Sequence, residues 1–251
     1  MERWSNYAEE ARLARVKILE LIFRAQTSHI GSNYSCVDIF AVLFSKLDFE
    51  KDIFLLSKGW AAATLYYFLW RCGRMTQEEL DSYCQPDSKF IGLTEPVHPD
   101  IKFAGGSMGL SLPAAVGFAL AKKLKGEEGR VYVLMSDGEI QIGTTYEAFL
   151  IAEHHQLDNL TILVDWNGLQ AMGATKDILN IDLFFMRKHV FDGHNYAQMK
   201  DHLFSPRGAP HFMVMHTVKG KGVSFMENKN LYHYKAPSEE EYTKALAELH
   251  G

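Results

Sequence analysis

The chain has 251 residues, 47% of them hydrophobic and 23% charged, with a formal net charge of −5. That balance describes an ordinary globular domain. Without a long basic run, nothing tracks a nucleic-acid backbone, and no apolar run approaches the roughly 20 residues a membrane-crossing helix needs. Cys36, Cys72 and Cys84 match neither a disulfide framework nor a metal knuckle and read as small hydrophobes. The N-terminus lacks the unbroken apolar stretch of a signal peptide, so cytoplasmic residence is expected.

No repeat, linker or composition break divides the chain, and residues 1–251 read as one domain. Leu13, Val16, Leu19 and Phe23 form a helical stripe over residues 6–27, and a second helix is predicted over 35–46. A short apolar run at 53–56 reads as a buried strand, followed by a helix over 61–70 that ends near Gly73. A glycine-rich loop opens an Ala- and Leu-rich helix over 111–123. Residues 131–135 and 160–165 are continuous apolar runs that bracket a helix over 144–155. Strand, helix and strand with both strands wholly apolar mark a parallel sheet covered on both faces. Another helix and a strand over 211–218 follow. Ser238 then opens a last helix with Glu241 three residues on, a capping box. The predicted fold is an α/β, doubly wound, mainly parallel sheet with helices on both faces, its ligand at the carboxyl ends of the strands.

At those ends stand Asp137-Gly138-Glu139 and Asp165-Trp166-Asn167-Gly168-Leu169-Gln170. One crossover brings the two loops side by side. An acid and an amide beside glycines suit a magnesium–diphosphate site, with oxygen ligands from the Asp137 carboxylate, the Asn167 amide and the Leu169 backbone carbonyl. Asp and Asn also favour plain strand-exit turns, and the pair alone leaves both readings open.

The segment SDGEIQIGTTYEAFLIAEHHQLDNLTILVDWNGLQAMG resembles the thiamine-diphosphate motif of transketolases, in which GDGE and a later NGLQ bracket one crossover. SHIGSNYSCVDIFAVLF, DIFLLSKGWAAATLY, GGSMGLSLPAAVGFALA and TVKGKGVSFMENKNLYHYKAP are similar to further segments of that family, in the family's order. The resemblance implies thiamine diphosphate and Mg2+ as cofactors. Asp137, Asn167 and Leu169 would hold the metal. Gly106, Met108, Gly109, Gly138 and Glu139 would lie around the diphosphate, with Gln170 and Trp60 at matching positions. His29, His233 and His194 would serve catalysis, the first facing the substrate and the second lying near the diphosphate and substrate channel.

Complete transketolases carry an aminopyrimidine-binding domain and a C-terminal domain beyond this one. The resemblance is therefore to the N-terminal subunit of a split transketolase. It implies a separate C-terminal partner subunit, a heterotetramer, and transfer of a two-carbon ketol or acyl unit from a sugar or 2-oxo acid donor. Histidines would shuttle hydroxyl protons, because their ordinary pKa lies near neutral. A non-catalytic subunit of such a complex and a 2-oxo acid dehydrogenase subunit are the alternatives.

Four positions depart from the pattern. Ser136 replaces the first glycine of the GDG motif, Trp60 and Leu93 stand where the family has histidines, and Ile142 replaces an acid, while Glu147 is retained. A pocket lined by Trp60 and Leu93 suggests a donor without the terminal hydroxyl, such as an acetyl-type 2-oxo acid, because stranding a hydroxyl costs about 1–3 kcal/mol.

Overall fold

The computed structural model describes residues 2–181, 188–205 and 208–251. Five strands, β1 (Ile53–Leu56), β2 (Val131–Ser136), β3 (Leu160–Trp166), β6 (Lys188–Asp192) and β7 (His211–His216), form one sheet in the order β1-β2-β3-β7-β6. Every pairing in it is parallel, with Leu134 beside Leu163 and Leu163 beside Met213. Because side chains alternate along a strand, apolar runs serve both faces at once. Leu56, Leu134, Leu163 and Met213 join one core, while Leu55, Val133, Ile162 and Val214 join the other.

The first face is covered by α1 (Tyr7–Ala25), α2 (Ile30–Lys46) and α3 (Ala62–Arg71), with α8 (Tyr196–Leu203) and α9 (Glu239–His250) packed around them. The second is covered by α5 (Ser111–Lys125) and α6 (Gly143–His154). Short pieces complete the chain: α4 (Gln77–Asp81), the hairpin β4 (Leu169–Gln170) with β5 (Gly173–Ala174), and α7 (Thr175–Ile178). The doubly wound fold and the Ser238–Glu241 capping box are as predicted.

Helix α2 begins five residues before its predicted start. All of its residues except Lys46 are buried, so its polar first turns carry no amphipathic stripe to read. Those polar groups are bonded internally instead. The Asn33 amide oxygen accepts from the Thr64 N–H and hydroxyl at 3.0 Å each, and its NH2 donates to the His29 carbonyl at 2.9 Å. Strand β7 ends two residues early, because the Val218 N–H is taken by His194 Nε2 at 2.9 Å.

Candidate active site

Four strand ends converge on one cavity of about 260 Å³, lined by residues that include His29, Lys58, Trp60, Asp137, Asn167, Lys219 and His233. Beneath it, Asp165 is wholly buried and accepts from Lys58 Nζ, the Thr217 hydroxyl and, at 2.6 Å, the Ser35 hydroxyl. Burial alone would raise this carboxyl, but the Lys58 ammonium holds it below its ordinary value. A second buried carboxylate, Glu139, accepts from the Ser57 hydroxyl and from the Ser136 N–H at 2.8 Å. It also lies 3.5 Å from the Gly109 N–H, so it ties the glycine loop to the turn after β2. The close approach of that loop requires glycines. A Cβ on Gly105 would sit 2.2 Å from the Leu56 carbonyl oxygen, and one on Gly59 would sit 2.3 Å from the Gly105 carbonyl carbon.

The Asp137 carboxylate accepts from its neighbours' backbone, Gly138 N–H at 2.9 Å and Gly168 N–H at 2.6 Å, and from the Thr175 hydroxyl at 3.0 Å. Burial, with the charge of Asp165 behind it, raises its pKa to about 6. Across the cavity the Lys219 ammonium is buried, and among the described residues no carboxylate lies within ion-pair distance of it. Burial and the charge of Lys58 lower its pKa to about 8. One side of the cavity thus lacks a cation and the other lacks an anion. A divalent metal paired with a diphosphate would satisfy both. Among the described residues no three His, Cys, Asp or Glu side chains converge as a metal site. A metal here would take the mixed oxygen set of Asp137, Asn167 and the Leu169 carbonyl, a set suited to Mg2+ sharing its shell with phosphate.

His29 and His233 face each other with ring centroids 5.0 Å apart, and Tyr234 stands 4.7 Å from the second ring. His29 sits in the left-handed region at φ 71°, a conformation that costs of order 1–3 kcal/mol and tends to persist only where its surroundings enforce it. Here the His29 N–H donates to the His233 carbonyl at 2.9 Å, and the His29 carbonyl accepts from Asn33. Burial, reinforced by the ammonium groups of Lys219 and Lys58, lowers the pKa of His29 to about 4. The same burial and Lys219 lower His233 to about 3. Both rings are therefore neutral at pH 7, their pKa values lying below the ordinary histidine value.

Of the residues singled out in the sequence, His29, Trp60, Gly106, Met108, Asp137, Gly138, Asn167, Leu169, Gln170 and His233 line the cavity. Gly109 and Glu139 stand behind its wall. His194 is not brought to it. Both of its ring nitrogens are used elsewhere, Nδ1 against Asp38 at 2.7 Å and Nε2 by the Val218 N–H. Asp38 is buried and also holds Arg15 at 2.6 Å, so His194 fastens the β6–α8 turn to α2. Leu93 packs against Gly106 at the cavity's edge. The residues missed were Lys58 and Lys219. Their signal lay in the LSKGW and TVKGKG segments, each placing a lysine between a strand end and a glycine.

The parallel sheet and the charged cavity at its carboxyl ends define a diphosphate-binding α/β domain. The family profile described as "Transketolase, thiamine diphosphate binding domain" matches residues 7–251, and the chain belongs to that family. It is 36% identical to one of the subunits of the apulose-4-phosphate transketolase of Actinobacillus succinogenes, over 98% of this chain and 96% of that one. It is 29% identical to a 6-deoxy-6-sulfo-D-fructose transketolase subunit of a Clostridium species, over 99% and 98%. Among solved structures, the transketolase of Campylobacter jejuni superposes with a TM-score of 0.89 at 25% identity. The match covers 98% of this chain and 43% of that one, so the chain spans less than half the length of that enzyme.

Proposed function

We propose that the chain is the diphosphate-binding subunit of a two-chain transketolase that moves a two-carbon ketol unit from a ketose donor to an aldehyde acceptor. The observation that carries this reading is the opposed pair in the cavity, a buried carboxylate lacking a cation facing a buried ammonium lacking an anion. Thiamine diphosphate, when bound, supplies the nucleophilic carbon and the electron sink for breaking and forming the carbon–carbon bond. The chain's own groups bind and orient. Asp137, Asn167 and the Leu169 carbonyl would hold Mg2+, while Lys219 and the glycine backbones at 106 and 138 would receive the diphosphate. His29 and His233 present neutral imidazoles to substrate hydroxyls. That Asp137, Asn167, His29 and His233 share one cavity weighs against a non-catalytic subunit.

Met172 and Tyr234, 79% and 65% exposed, crown the cavity mouth with apolar surface, and we assign their cover to a separate aminopyrimidine-binding subunit in a heterotetramer. Residence in the cytoplasm and a place in carbohydrate metabolism are part of the same reading. A second reading, transfer of an acetyl unit from a 2-oxo acid, is favoured by the apolar Trp60 and Leu93. Co-expression with the partner subunit tests both. Thiamine diphosphate is expected to bind only with magnesium and to stabilise the complex by about 2.7 kcal/mol at a hundredfold excess over Kd, and Asp137→Ala should abolish the effect. Binding indifferent to magnesium would overturn the site assignment. Product masses then separate hydroxyacetyl from acetyl transfer.

A further inference from the structure

We infer that Lys219 is a positioning residue that sets the tautomer of His233, keeping the ring proton on Nε2 so that His233 meets its substrate as a hydrogen-bond donor. Lys219 Nζ stands 2.8 Å from His233 Nδ1. An ammonium offers protons and no lone pair, whereas a neutral imidazole accepts at one nitrogen and donates at the other. With Nδ1 accepting, the ring's own proton must sit on Nε2. Among the described residues no group of the chain takes Nε2, and the ring lines the cavity.

The lysine is held where it can do this. It is 1% exposed, and Nζ makes a second bond to the Leu169 carbonyl at 3.3 Å. The Lys219 carbonyl accepts from the Asn228 N–H at 2.8 Å. Its Cγ lies 3.2 Å from where a Cβ on Gly31 would stand, so the start of α2 is shaped to admit the side chain.

His29, across from His233, is not constrained in this way. Its Nδ1 faces the Ser28 hydroxyl at 2.8 Å, and a hydroxyl can either donate or accept. The two histidines of one wall therefore divide the work: His233 is a committed donor, and His29 is able to give or take a proton as Ser28 turns. The substrate role rests on the ketol-transfer reading; the tautomer itself does not.

The test is a long-range 1H–15N spectrum of the full chain with 15N-labelled histidine at about neutral pH, without cofactor, partner or substrate. The His233 pattern is identified by its loss in His233→Gln. The expected result is a single tautomer with bare Nδ1 and protonated Nε2, shifting toward a mixture in Lys219→Met and returning in Lys219→Arg. A protonated Nδ1 in the native chain, or an unchanged pattern in Lys219→Met, would overturn the inference. Should Lys219→Met not fold, the native spectrum and Lys219→Arg still decide it. Failure of the ketol-transfer reading would appear in product assays and leave this spectrum unmoved.

Discussion

Replacing Asp165 with leucine probes the charge pair on which the cavity is built. The Asp165 and Lys58 side chains are 0% and 1% exposed, and Lys58 has one other strong acceptor, the Ser32 carbonyl at 2.9 Å. Asp165→Leu leaves that ammonium buried without its ion-pair partner, with only the more distant charge of Asp137 to offset it and Lys219 as a second positive charge close enough to be felt. Removing one partner of such a pair costs about 3–5 kcal/mol, a large share of the 5–15 kcal/mol typical of a folded domain. The double substitution Lys58→Met/Asp165→Leu removes both charges, and replacing a buried pair by apolar groups is often close to neutral. Urea unfolding of the four proteins gives the cycle directly, provided the transition is two-state. The single change should lower the midpoint sharply and the double change should recover most of it. A loss below about 1 kcal/mol for Asp165→Leu, or a double variant worse than the sum of the singles, would refute the claim that an unpaired buried charge is what hurts.

Gly105→Ala should destabilise by about 3 kcal/mol or more, since its new methyl meets main chain that cannot move aside. In a chain of this size that lowers the melting temperature by about 6 °C or more; a melt matching the native protein would contradict it. The C–H proton resonances of His29 and His233 should hold their neutral-form positions down to about pH 5 in the chain without cofactor. Each ring binds fewer protons folded than unfolded. Its contribution to stability is therefore complete above the ordinary value of 6.5 and is lost as pH falls toward about 4 for His29. Titration of either ring near 6.5 would show that burial does not govern them.

Much of this was legible in the residues because the pattern was local. Run 131–135 is apolar without alternation, and 160–165 is interrupted only by Thr161 and closed by Asp165; both proved to be buried parallel strands, each longer by one residue. Their exits carried Asp137 and Asn167 into one cavity as the crossover requires. What escaped depends on partners far along the chain. Lys58 meets Asp165 across 107 positions, and nothing near either residue announces it. His194 sits in a motif like its neighbours, yet its direction is decided by Asp38, 156 positions earlier. Strand β6 is only five residues, Lys-His-Val-Phe-Asp, too short and polar to stand out. The capping box from Thr76 to Glu79 was readable and marks the start of α4, a helix the periodicity passed over.

The meeting of Gly59 and Gly105 also bears on how such a protein can change by descent. Neither position can acquire a side chain by itself, and no exchange at one rescues the other, because peptide backbone blocks both, joined at Gly105 by the Thr94 hydroxyl. Between Gly59 and Ala61 stands Trp60, whose carbonyl is held by Asn33 at 3.3 Å while its side chain lines the cavity. Mutation can therefore exchange the indole without disturbing the frame that presents it. A single residue separates what drift must leave alone from what it can freely retune, so substrate preference could diverge among related subunits while the cradle stays the same.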